Sequence, residues 1–151
     1  MPKDKIEFGA GNRINDPKLW INHDIVKHRK EIELAFDLNK FPYPLEDNSM
    51  QCIRAYDVLE HIEDVIGFMN ECHRIIKKGG VLDIRVCSWK NPNAWVDITH
   101  KRLMDFKSMD YFDPDTDLGT QYSFYTPYKW KILRASEDRK GNPVFRVEAI
   151  K

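Results

Sequence analysis

The feature that most constrains this chain is a succession of short apolar runs, each closed by a glycine or a carboxylate. Residues 6–8 (Ile6-Glu7-Phe8) end in Gly9-Ala10-Gly11-Asn12. Leu19-Trp20-Ile21 runs into Asn22-His23-Asp24, and Ile32-Glu33-Leu34-Ala35-Phe36 stops at Asp37. A fourth run covers residues 52–58. Runs of this length, bounded by turn residues, read as strands. Between the third and fourth, Phe41-Pro42-Tyr43-Pro44 breaks regular structure, because proline lacks a donor and restrains its predecessor. One amphipathic helix follows. Ile62, Val65, Ile66, Met69, Cys72, Ile75 and Ile76 recur at helical spacing, Glu63 and Asp64 suit its positive end, and Lys77-Lys78-Gly79-Gly80 is expected to stop it. Residues 81–86 read as a fifth strand and 101–109 as a weaker second helix. The tail reads as a hairpin, 130–135 and 144–150, turning through Asp138-Arg139-Lys140-Gly141-Asn142. Early strands with a late crossover helix predict an α/β fold: a mostly parallel sheet with an antiparallel C-terminal hairpin, in a single domain over residues 1–151.

Composition narrows the partners. The chain has 24 Lys+Arg against 24 Asp+Glu, a formal net charge of zero, which argues against a dedicated nucleic-acid wrapper. No apolar run is long enough for a membrane span, and Met1-Pro2-Lys3-Asp4-Lys5 is not the start of a signal peptide, so a cytoplasmic protein without membrane contact is expected. Cys52, Cys72 and Cys87 form no Cys-x-x-Cys pair, so reduced, buried thiols are expected and no metal ligand set is assigned. Asp113-Pro114-Asp115-Thr116-Asp117-Leu118-Gly119 resembles a calcium loop, but its glycine is one position late and Phe124 stands where a chelating Glu is needed. It reads as a solvated acidic loop. His23 and His28, among Lys27, Arg29 and Lys30, read as a solvated basic turn.

The strand ends carry the chemistry. Open α/β sheets bind ligands beyond the carboxyl ends of their strands. Gly9-Ala10-Gly11, Asp24 and Asp37 would all lie at that edge. Glycines let a ligand approach the backbone, and a carboxylate at a strand end can accept two ribose hydroxyls. Each residue alone is equally compatible with an ordinary turn or cap. The ordered set is what points to a nucleoside.

The same residues resemble a class I S-adenosylmethionine-dependent methyltransferase of the small, type-11-like group. Glu7-Phe8-Gly9-Ala10-Gly11 is similar to its acidic-x-Gly-x-Gly motif, and Asn22-His23-Asp24-Ile25 to the end of its second strand. Phe36-Asp37-Leu38 with Phe41-Pro42-Tyr43-Pro44-Leu45-Glu46-Asp47-Asn48-Ser49 resembles its third strand and following turn. Asp57-Val58-Leu59-Glu60-His61-Ile62 and His73-Arg74-Ile75-Ile76-Lys77-Lys78-Gly79-Gly80 resemble the segments around its later strands. The resemblance implies a compact Rossmann-like methyltransferase sheet with S-adenosyl-L-methionine as cofactor. It implies cofactor contacts from Glu7 near the amino group, Gly9, Ala10 and Gly11 under the methionine, and Asp24 on the ribose. Asp37 and Leu38 would meet the adenine, and Tyr56 and Asp57 would lie beside the sulfonium. It further implies methyl transfer to an O or N atom of a small-molecule or sugar acceptor, with His61 and His100 as candidate bases. Two other readings stay open: a non-catalytic binding or assembly protein on a degenerate fold of this kind, and a nucleic-acid methyltransferase.

The chain also departs from the pattern. Arg13 follows where a third glycine is usual, and twelve residues between Gly11 and Asp24 are few for a helix plus a strand. Reduced helices on one face are therefore expected. They would leave an apolar sheet face near Ile6, Phe8, Trp20 and Ile32, and hence a homo-oligomer, in the simplest case a two-fold dimer.

Overall fold

A computed structural model describes residues 2–151; Met1 lies outside the described residues. Seven strands form one sheet in the order β3-β2-β1-β4-β5-β7-β6. β1 (Lys5–Phe8), β2 (Ile21–Asp24), β3 (Ile32–Ala35), β4 (Met50–Tyr56) and β5 (Ile76–Arg85) pair in parallel. β7 (Pro143–Ile150) runs antiparallel between β5 and β6 (Lys129–Glu137). The expected mostly parallel sheet with an antiparallel hairpin is what forms. Strand order reverses between β1 and β4, the place where such sheets leave a crevice.

One helix covers the middle of one face. α1 (Val65–Ile75) begins where the Asp64 carboxylate accepts from the Gly67 amide at 2.8 Å. That cap starts the helix three residues later than the apolar spacing suggests. Its Phe68, Met69, Cys72 and Ile75 share one buried cluster with Ile6 and Phe8 of β1, Ile53 and Ala55 of β4, and Leu82 and Ile84 of β5. The Phe8 ring meets Phe36, Tyr43 and Phe68 edge-on, an arrangement favoured by the aromatic quadrupole. Arg74 of α1 ties down the proline loop, donating to the Leu45 carbonyl at 2.8 Å and to Asp47 at 2.6 Å.

Two expected boundaries move. Lys77-Lys78-Gly79-Gly80 does not terminate the helix but lies inside β5, because Ile76 already pairs with Met50 and a register shift before Cys52 absorbs the stretch. Residues 101–105 are not helical: Met104 bridges Ser88, and Asp105 with Ser108 builds a reciprocal cap that starts a 3-10 helix at Phe106–Phe112. Two short helices, α2 (Asn93–Val96) and α3 (Asp117–Gln121), lie in the connections. The acidic loop before α3 is not simply solvated. Asp113 is buried, and its carboxylate accepts from the Ile132 amide at 2.7 Å.

The opposite face corrects the largest expectation. Ile6 and Phe8 belong to the α1 side and, like Ile32, are fully buried, so they expose no apolar face. The face away from α1 is charged instead. In register across four strands stand Glu7, Arg54, Asp83 and Arg146. Arg54 donates to Glu7 at 3.3 Å, and Arg146 grips Asp83 through two bonds of 2.7 and 2.8 Å. The Arg54 guanidinium lies 4.4 Å from the centre of the Trp20 ring. The residues between Gly11 and Ile21 form turns rather than a covering helix; Arg13 and Asn15 from them close over Glu7, while Arg54 and Arg146 stay partly open to water. The expected two-fold dimer loses the feature it rested on. No helix of the described residues is long and apolar enough to cross a membrane.

Candidate functional site

The ends of β1 and β2 lock together. Gly9 and Gly11 have φ of 62° and 55°, left-handed values that favour glycine, and a side chain at Gly9 would meet Val58 Cγ2 at 2.8 Å. The Ala10 amide donates to the His23 carbonyl at 2.8 Å, and the Gly11 amide donates to Asp24 Oδ2 at 2.8 Å. Asp24 Oδ1 accepts from the Ile25 amide at 2.7 Å. Its side chain keeps 18% of its surface open, so the fixed carboxylate retains outward lone pairs. Next to it, Asp37 Oδ1 accepts from the Asn39 amide at 2.9 Å, and buried Leu38 is held by the Tyr43 hydroxyl on its carbonyl at 2.8 Å.

His23 joins these three strand ends and is buried, not part of a solvated turn. Its Nε2 lies 2.9 Å from the Phe36 carbonyl, which can only accept, so Nε2 carries the proton and Nδ1 accepts from the Gly9 amide at 3.4 Å. Burial holds its pKa below the usual imidazole value, against the opposing pull of the Phe36 carbonyl and Asp24.

On the other side of Gly9, β4 ends in Tyr56 and Asp57. Asp57 sits at φ 60°, a strained position for a residue other than glycine, of a kind concentrated at functional sites. Its carboxylate pairs with Arg85, and Arg13 stands 3.9 Å away. Three guanidiniums surround the Tyr56 ring, Arg85 at 5.0 Å, Arg13 at 5.3 Å and Arg54 at 5.4 Å from its centre. Glu7 lies behind this group, fully buried, with contacts to Arg13 and Arg54 at 3.3 Å and Asn15 at 3.0 Å. Burial raises its pKa while both arginines oppose the rise.

A second cluster forms beyond β4. His61 ends a 3-10 turn (Leu59–His61), and the 97–102 segment is clamped onto that turn. The Lys101 amide donates to the Glu60 carbonyl at 2.7 Å, and Arg102 Nε donates to the Ile62 carbonyl at 3.2 Å. The clamp brings the His61 and His100 rings to 4.7 Å between centres. Thr99 and Asp97 complete the group, with Thr99 Oγ1 3.0 Å from His61 Nδ1 and 2.6 Å from Asp97 Oδ1. Glu60, His61, Asp97 and His100 line a cavity of about 720 Å³ that reaches from Asp57 and Arg85 to Asn93, Asp138 and Asn142.

Residues 21–84 match the model of a methyltransferase domain, a span that runs from β2 into β5 and leaves out the glycine turn. No curated protein sequence matches the chain. Among solved structures, a S-adenosylmethionine-dependent methyltransferase of Thermotoga maritima, described as a possible histamine N-methyltransferase, superposes with a TM-score of 0.64 and 16% identity, over 98% of this chain and 83% of that one. The CurJ carbon methyltransferase gives 0.60 and 15%, over 100% of this chain and 50% of that one. The trans-methyltransferase CalH, in complex with SAH, gives 0.61 and 14%, over 98% and 51%. The chain thus spans about half the length of the last two.

This is a class I methyltransferase fold. S-adenosylmethionine is named as cofactor for one of those structures, and another was solved with SAH. The residues at these strand ends fit that group. Positive-φ glycines leave the backbone accessible, Asp24 ends β2 opposite Ala35 with Asp37 two residues beyond the end of β3, and Leu38 offers an apolar surface. Of the residues singled out from sequence, Gly9, Ala10, Gly11, Asp24, Asp37 and Leu38 gather at the β1–β3 ends, and Tyr56 and Asp57 at the β4 end. His61 and His100 lie against each other in the cavity wall. Glu7 is placed differently, as the buried anchor of Arg13 and Arg54. Sequence reasoning missed Arg13, His23, Glu60, Asp97 and Thr99. Arg13 was visible only as the residue in place of a glycine.

Proposed function

We propose that this methyltransferase domain transfers a methyl group to an oxygen or nitrogen of a polar small-molecule or sugar acceptor. The observation that carries the reading is the cavity beyond Asp57, lined chiefly by residues with charged, amide or imidazole groups, two of them adjacent imidazoles. Asparagines and carboxylates there suit an acceptor rich in hydroxyl or amine groups. S-adenosylmethionine supplies the reactive methyl carbon, bound to a cationic sulfur. Asp24 would accept from the ribose hydroxyls, and Asp37 from the adenine amino group, with Leu38 against the ring. Gly9 and Gly11 would leave room for the methionine, and Arg13, whose side chain is 40% exposed, would pair with its carboxylate. The chain's own contribution is alignment of the two reactants and removal of the acceptor's proton within the cavity that Glu60, His61 and His100 line.

The experiment is calorimetry with S-adenosylhomocysteine, followed by release of that product with a panel of sugar, amine and hydroxyl acceptors. Saturable binding with turnover on one class supports the reading; failure of every acceptor removes it. A second reading, a binding protein without turnover, is favoured by one observation. Three guanidiniums crowd the Tyr56 ring beside the place expected for a cationic sulfur. Tight S-adenosylhomocysteine binding with no methyl transfer to any acceptor would select it.

A further inference from the structure

Among the described residues, one donor atom each from His61, Asp97 and His100 lies within 4.8 Å of the other two. Their hydrogen bonds prepare them as ligands. His100 Nδ1 is 3.1 Å from the Ala94 carbonyl, which only accepts, so the neutral ring keeps its lone pair on Nε2, 3.6 Å from Asp97 Oδ2. The Thr99 hydroxyl gives its proton to Asp97 and therefore accepts from His61 Nδ1, which leaves the His61 Nε2 lone pair free. Imidazoles whose second nitrogen is fixed by such a partner are the usual form of metal-binding histidine.

An independent observation lies in the same cavity. Glu60 is only 1% exposed, and its Oε1 accepts from the Cys87 amide at 3.0 Å. Its Oε2 is buried without any hydrogen-bond partner, although the residue lines the cavity. A buried carboxylate oxygen in that state calls for a cation, a proton or a bound water.

We infer that His61, Asp97 and His100 form a binding site for a first-row divalent cation of the zinc, manganese or iron(II) kind, with Glu60 accepting from a water or substrate hydroxyl held by the ion. Two imidazoles and one carboxylate suit such an ion and leave coordination positions open. What the ion does there rests on the methyltransferase reading. An acceptor hydroxyl at an open position becomes more acidic, and its proton passes to the Glu60 carboxylate. The oxygen then forms the bond to the methyl carbon, while the electron pair of the broken carbon–sulfur bond stays on sulfur. The substrate class is therefore an alcohol, phenol or sugar hydroxyl.

The test uses the full chain stripped with chelator, then titrated with Co²⁺ followed by visible absorption and with Zn²⁺ followed by calorimetry. One equivalent should bind, with a d–d band of nitrogen and oxygen ligation. Asp97→Asn, at an exposed position, and His100→Ala should each weaken binding by at least ~10-fold in samples that melt like the parent. The absence of a saturable one-to-one cobalt spectrum, or unchanged affinity in both variants, overturns the proposal. S-adenosylhomocysteine calorimetry on the same samples separates the two ideas. Nucleoside binding without metal binding overturns the metal site and leaves the methyltransferase reading intact. Metal binding without nucleoside binding supports the site and removes that reading.

Discussion

The two faces of the central sheet are held by different physics. On the α1 side, Phe8, Ile53, Ala55, Leu82 and Ile84 are closed over by Phe68, Met69, Cys72 and Ile75, and burial of apolar surface supplies the stability. On the other side Glu7, Arg54, Asp83 and Arg146 cross the strands as ion pairs, the carboxylates buried and the arginines partly open to water. The first face is large and insensitive to salt. The second is worth little per pair where it is exposed and more where a partner is buried. A parallel sheet usually needs cover on both faces; here alternation of polar and apolar residues along short strands lets turns and long arginine side chains, rather than a helix, cover one of them.

The contrast can be broken at graded cost. Phe68→Ala, in the fully buried layer, should destabilise by about 3–5 kcal/mol, read as a shift in the urea midpoint. Arg54→Met should cost less, about 1–3 kcal/mol, because Glu7 is left buried but keeps Arg13 and Asn15. Arg146→Ala leaves the buried Asp83 carboxylate without its two bonds, but water can reach the place of the half-exposed arginine, so the cost should be about 1–2 kcal/mol and should shrink at high salt. Equal losses at Phe68 and Arg146 would erase the distinction between the faces.

The smallest effect is one of pH and belongs to His23, at the hinge between the faces and the strand ends. Burial lowers its folded pKa below the ordinary 6.5, so the unfolded chain takes up the proton first. Its stabilising contribution is present above about pH 6.5 and is lost as pH falls from there toward the folded value. A His23→Gln variant should therefore lose less stability than the parent between about pH 7 and pH 5. An identical pH slope in the two proteins would show that His23 titrates as a solvated residue.

The residues that were readable from sequence are those whose roles are local. Gly9, Gly11, Asp24 and Asp37 end their strands, and strand ends of parallel neighbours converge whatever the rest of the chain does. The helix was readable from its apolar spacing, but its first turn was set by the Asp64 cap and its end by the pairing of Ile76 with Met50. The charged face was written in the alternation of Lys5-Ile6-Glu7-Phe8 and of Arg54-Ala55-Tyr56, yet the short spacing from Gly11 to Asp24 pointed to a missing helix and so to a bare apolar surface. The meeting of His61 with Asp97 and His100 depends on the clamp between Lys101 and Glu60, a contact across some forty residues that no local pattern announces.

The central claim is that the ends of β1, β2 and β3 form a nucleoside site. Its most direct test is calorimetry of S-adenosylhomocysteine with the parent chain and with Asp24→Ala, both checked for an intact melt. The carboxylate that would accept two ribose hydroxyls predicts one-to-one binding weakened by roughly 1.5–3 kcal/mol in the variant. Equal affinity in the two proteins, or no binding by the parent, would contradict it.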